Sequence, residues 1–82
     1  MRVVQIMVFA RLKEFFESDF KLELSAHEQT VDRVLAKLQT MNPAAAEVLR
    51  GCRVAINENL VDDTADVPEN SILAILPPSS GG

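Results

Sequence analysis

The sequence predicts an α+β domain: a mixed sheet, one main crossover helix laid across it, and a tail beyond the last strand. Three observations predict it. Apolar, β-branched stretches lie near both ends of the chain, one central stretch repeats its apolar residues at helical spacing, and the last strand-like run stops at two prolines. At 82 residues there is room for one core, with roughly 63% of the unfolded surface removed from water on folding. The division expected is a folded domain over 1–76 and an extended tail over 77–82.

The first strand is Val3-Val4-Gln5-Ile6-Met7-Val8-Phe9. Gln5 fixes its phase: Val4, Ile6 and Val8 point to the core, and Val3, Gln5, Met7 and Phe9 share the other face. Residues 10–17 switch to helical spacing, with Leu12, Phe15 and Phe16 on one side, and predict a short helix. Phe20-Lys21-Leu22-Glu23-Leu24 alternates strictly and reads as a half-buried strand paired with the first.

Val31, Val34, Leu35, Leu38 and Met41 recur at three- and four-residue intervals, which predicts the main helix over 31–41 with Thr30 as its N-cap. Asn42-Pro43 stops it. Residues 44–50 read as a second short helix, capped by Gly51. Arg53 to Asn57 is a strand, Asn57-Glu58-Asn59 a turn, Leu60-Val61 a very short strand, and 62–71 a loop with turn chemistry. Ile72-Leu73-Ala74-Ile75-Leu76 is apolar on both faces, as a central strand is. Hairpin, crossover helix and further strands are the order of a β-grasp, ubiquitin-like fold, with the last strand parallel to the first. A ferredoxin-like fold needs a second crossover helix, and 57–71 is too broken to supply one.

Composition narrows the function. Hydrophobic residues at 48% with charged residues at 24% describe a folded chain. Apolar runs fall far short of the roughly 20 residues that span a bilayer, and residues 1–16 lack a leader pattern; no membrane and a cytoplasmic location are expected. Residues 1–53 hold all eight Lys and Arg against seven acids, net +1, whereas 54–82 hold five acids and no base, net −5. That imbalance argues against nucleic acid. It suits a partner with a positive groove, and equally describes a solvated turn region. Cys52 and His27 each stand alone, so neither a disulfide nor a metal site is expected, and no Cys–His or His–carboxylate pairing is evident.

Pro77-Pro78-Ser79-Ser80-Gly81-Gly82 is the most informative segment. Two prolines remove two donors and fix φ near −65°, so the chain leaves the ladder in extended form. Six residues at about 3.3 Å each reach roughly 20 Å, enough to enter another protein's active site. Residues without a Cβ pass a narrow channel, and a bare acyl carbon at Gly82 suits activation by ATP and attack by a nucleophile.

The block Ala55-Ile56-Asn57-Glu58-Asn59-Leu60-Val61, the acidic loop, the ending Ala74 to Gly82, and the opening Val8-Phe9-Ala10-Arg11-Leu12-Lys13-Glu14 resemble the small subunits of molybdopterin synthase, over the whole chain. Pro68-Glu69-Asn70-Ser71 departs from that family, which more often has an acidic, glycine-containing turn there. The resemblance implies a sulfur carrier that is not an enzyme on its own. By that resemblance Gly82 is expected to be adenylated by an ATP-dependent activating enzyme and converted to a thiocarboxylate, with sulfur from a donor of the cysteine desulfurase or rhodanese type. The tail, Pro77 to Gly81 behind it, is then expected to enter the large catalytic subunit, where the sulfur goes to cyclic pyranopterin monophosphate. No cofactor is permanently bound; ATP belongs to the activating enzyme. The resemblance also places Phe9, Leu60 and Leu76 at partner contacts, and strand phase adds Met7 to that open-face patch. Scattered surface apolar residues are also ordinary. A thiamine-type sulfur carrier, a ubiquitin-like modifier forming isopeptide bonds, and a plain interaction domain stay open beside this reading.

Overall fold

Alternation in the first strand decides the layering. In the computed structural model, which describes residues 1–78, β1 (Arg2–Val8) buries Val4, Ile6 and Val8 and leaves Val3, Gln5 and Met7 half-buried on the other face. β2 (Asp19–Leu24) runs antiparallel to it, and Leu22 and Leu24 join the same core. Between them the chain forms a 3₁₀ turn, Ala10–Glu14, instead of the α-helix expected over 10–17. Ala10 enters it at φ 53°, and the N–H groups of Phe15 and Phe16 both donate to the Leu12 carbonyl, which closes the segment early. Leu12 is fully buried, and Phe16 stacks on Phe20 with ring centroids 6.0 Å apart.

The main helix, α1 (Val31–Met41), has the predicted bounds and buries Val31, Val34 and Leu38 against the sheet. Met41, expected on that stripe, is half exposed on the last turn. Thr30 holds the N-cap position with extended backbone, but its hydroxyl donates to Asp32 Oδ1 and does not accept from the first turn. Asn42 ends the helix and in turn caps the next 3₁₀ turn (Pro43–Ala45), accepting from Ala44 N at 3.2 Å. α2 (Ala46–Arg50) is anchored by Leu49, which is 1% exposed.

β3 (Arg53–Ile56), β4 (Asn59–Val61) and β5 (Ile72–Leu76) complete one five-stranded sheet in the order β2-β1-β5-β3-β4. β5 is central, parallel to β1 and antiparallel to β3, which explains apolar residues on both its faces. β3 stops at Ile56. Asn57 and Glu58, at φ 49° and 74°, form a two-residue turn whose hand matches the strand twist. The 62–71 segment is a loop with a role in the core: Val67 is fully buried, and its N–H donates to the Gln29 carbonyl at 2.8 Å. Asn70 turns at φ 63° where a glycine is easiest, so asparagine supplies the left-handed residue. This is the β-grasp fold.

Candidate functional site

The open face of the sheet is organised by register. Asp19, Met7, Ala74, Ala55 and Leu60 are successive cross-strand partners and form one row across all five strands. The small pair Ala55 and Ala74 makes the row low in its middle, between Met7 and Leu60. Leu60 is 57% exposed, and Ile72, beside this row on β5, is 42% exposed. Met7, Ile72 and Ala74 line a shallow hollow closed by Asn57 and Glu58. Asn57 locks that end: its Oδ1 accepts from Ile72 N, and its own N–H donates to Ile72 O, both at 2.9 Å.

The next row leads to the tail. Leu76 is half-buried opposite Arg53. Phe9 follows Val8, the partner of Ile75, in extended backbone (φ −134°, ψ 161°), so it falls beside Leu76, and it is 37% exposed. Met7, Phe9, Leu60 and Leu76 therefore share one face next to the exit of the chain. Ala74, which strand phase turns outward with Leu76, lies on that face, and so do Ile72, two residues before it on β5, and Ala55. The pairing of Ala55 with Ala74 is found by cross-strand register, which is invisible before the sheet order is known.

Pro77 is half-buried and Pro78 exposed. They border a groove whose floor is Phe15 and Val48 and whose rim carries Arg11, Arg50 and Glu47. Ala10, also in its wall, keeps a left-handed backbone that costs a non-glycine residue about 1–2 kcal/mol. Ser79, Ser80, Gly81 and Gly82 lie outside the described residues.

Electrostatics elsewhere is local. Asp66 pairs with Arg2 at 3.0 Å, and Glu69 accepts from Val3 N at 3.2 Å, so the acidic third is partly consumed by ties to β1. Glu28, hydrogen-bonded by Lys37 Nζ at 2.7 Å and by Ser25 N, is held down to about 2. The Thr30 hydroxyl and the Arg33 N–H lower Asp32. Burial pushes the Cys52 thiol up, and its Sγ lies 3.1 Å from the Val48 carbonyl, the setting of a packing residue and not of a thiolate nucleophile. His27 is exposed. Among the described residues, no three His, Cys, Asp or Glu gather as metal ligands, and no helix is long and apolar enough to cross a membrane.

The five-stranded sheet, with its parallel central strand and crossover helix, defines a ubiquitin-like domain. The chain belongs to the ThiS family, which it matches over residues 6–82. It is 31% identical to the molybdopterin synthase sulfur carrier subunit of Dictyostelium discoideum, covering 95% of this chain and 94% of that one. With the subunit of the same name from Arabidopsis thaliana it shares 36% identity over 96% of this chain and 82% of the other. Among solved structures, a putative molybdopterin converting factor subunit 1 from Pyrococcus furiosus superposes with TM-score 0.83 at 15% identity, over 96% of this chain and all of that one. That likeness concerns the fold. A complex of subunits 1 and 2 of molybdopterin-converting factor from Helicobacter pylori contains a chain with TM-score 0.71 and 25% identity, over 98% and 99%. The small archaeal modifier protein 1 of Methanosarcina acetivorans gives TM-score 0.80 at 25% identity, over 100% and 98%.

Proposed function

We propose that this chain is a cytoplasmic sulfur-carrier subunit of molybdopterin synthase. The observation that carries the reading is an apolar sheet face beside Pro77 and Pro78, where the chain leaves central strand β5 and the sequence goes on to Ser79-Ser80-Gly81-Gly82. The likeness to two molybdopterin synthase sulfur carrier subunits supports it. ATP on an activating enzyme converts the Gly82 carboxylate to an acyl-adenylate with release of pyrophosphate. The outer sulfur of a persulfide on a cysteine desulfurase or rhodanese type donor displaces AMP to give an acyl disulfide, and a second thiol cleaves it, forming a disulfide with the donor and freeing the thiocarboxylate. The thiocarboxylate sulfur then bonds to cyclic pyranopterin monophosphate in the large subunit, and water cleaves the remaining acyl–sulfur bond and returns the carboxylate. General acid–base groups belong to the partner; this chain supplies a reactant and a handle and holds no cofactor of its own.

In this scheme Met7, Phe9, Leu60 and Leu76 dock the face on the large subunit and on the activating enzyme, and Pro77 to Gly81 carry Gly82 into the partner. The Helicobacter pylori complex of subunits 1 and 2 supports a large-subunit partner. The test is sulfur transfer to cyclic pyranopterin monophosphate in a mixture with the large subunit. A chain extended by one residue after Gly82 is expected to stay folded and lose transfer, because the acyl carbon is displaced; full transfer by the extended chain contradicts the reading. The likeness to small archaeal modifier protein 1 favours one second reading, a protein modifier. Higher-mass conjugates in host extract that vanish when Gly82 is removed identify it.

A further inference from the structure

We infer that Gly51 is a positioning residue for the tail: its missing Cβ leaves the seat on which the Pro78 ring rests, and that seat aims the chain as it leaves the sheet. The inference deepens the carrier reading above and rests on it. Gly51 closes α2 at φ −98° and ψ 4°, a conformation open to any L-residue, so its own backbone does not call for glycine. The neighbour does. A Cβ at Gly51 stands 3.3 Å from Pro78 Cγ and 3.6 Å from Cδ, and the third atom near it, at 4.0 Å, is Pro78 Cβ. Every atom in that short contact is Pro78.

Two features make this contact a rest. Gly51 sits on a fixed corner: the N–H groups of Gly51 and Cys52 close on the carbonyl of Leu49, whose side chain lies in the core. Pro78, in contrast, has lost the ladder. Leu76 is the last residue of β5 paired with β3, opposite Arg53, and neither proline has an N–H to continue the pairing. Beyond Leu76 the direction of the chain depends on the fixed proline φ and on what the rings lean against. Pro78 therefore sets where, and in what direction, the segment that leads to Gly82 starts. Misplacement of a reacting atom by about 1 Å can cost a hundredfold in rate.

The test is steady-state activation by the host's carrier-activating enzyme with ATP, read as pyrophosphate release, for wild type, Gly51→Ala, Gly51→Leu, Pro78→Ala and the Gly51→Leu/Pro78→Ala pair. Delivery of the carboxylate is read in kcat and docking of the sheet face in KM. The expected result is a fall in kcat of about twofold for Gly51→Ala and tenfold or more for Gly51→Leu, with KM within about twofold. Because the three atoms nearest an added Cβ all belong to Pro78, kcat of the double variant is expected within about twofold of Pro78→Ala alone. Undiminished kcat in Gly51→Leu overturns the inference, as does an equal loss in the Pro78→Ala background, which marks a structural effect of the corner. A wild-type chain that the enzyme leaves unactivated overturns the carrier reading and the inference together, whereas normal wild-type turnover with normal Gly51→Leu turnover overturns the inference alone.

Discussion

The two faces of the sheet are built by the same strands and do opposite things. On the helix side, Val4, Ile6 and Val8 of β1 meet Leu73 and Ile75 of β5, and all five are at most 1% exposed. On the other side, Met7, Ala74, Ala55 and Leu60 follow one another across the sheet, and Leu60 and Ile72 keep about half of their surface in water. A period of two separates them: neighbouring residues in one strand belong to different tasks. The difference teaches that hydrophobicity alone does not assign a role here. Ile72 and Ile75 lie three residues apart on one strand, one open and one sealed.

If that division holds, changes on the two faces separate stability from binding. Ile6→Ala or Leu73→Ala, at fully buried sites, is expected to cost about 2–5 kcal/mol. Chemical denaturation checks this, with a loss below 1 kcal/mol placing these residues outside the core. Leu60→Glu and Phe9→Ala are expected to change stability by less than about 1 kcal/mol and to weaken binding of the large subunit by roughly tenfold or more. Calorimetric titration beside thermal melts measures both; matched losses of stability and affinity mean the faces are inverted.

Smaller effects refine the edges of this picture. Glu28 ionises more easily in the fold, at about 2 against an ordinary 4.5. Its contribution is therefore present above pH 4.5 and is lost as pH falls through about 2. Glu28→Gln is expected to lower stability near neutrality, where the contribution is present in full, and to flatten the profile as pH falls from about 4.5 to about 2, as melts across the range can show. Glu58→Gly, in the hairpin turn at φ 74°, relieves a left-handed strain of about 1–2 kcal/mol and adds freedom to the unfolded chain, so a net gain below about 1 kcal/mol is expected in urea titration. A loss there means the Glu58 side chain contributes to the turn.

The parts legible in the sequence are those where one period dominates. Gln5 gave the phase of β1, the three- and four-residue spacing gave α1 its bounds, and the apolar run of β5 marked a central strand. Four features were not legible, each for a tertiary reason. Ala10 adopts a backbone that alanine disfavours, so the expected helix became a 3₁₀ turn. Val67 is an isolated apolar residue in a polar loop, and only the pairing of that loop with Gln29 and Thr30 carries it inward. Gly51 looks like a helix-ending glycine, whereas its need for glycine comes from Pro78, distant in sequence. In the candidate site, Met7, Phe9, Ala74 and Leu76 could be placed on one face by phase, but the trough that Ala55 and Ala74 form together required the strand order.

The most direct measurement is the intact mass of the chain after incubation with its host's activating enzyme, ATP and sulfur donor. The account predicts a species heavier by the exchange of one oxygen for sulfur, with the change localised to Gly82. A chain that the activating enzyme adenylates but that returns only as carboxylate, or as an isopeptide conjugate, contradicts it.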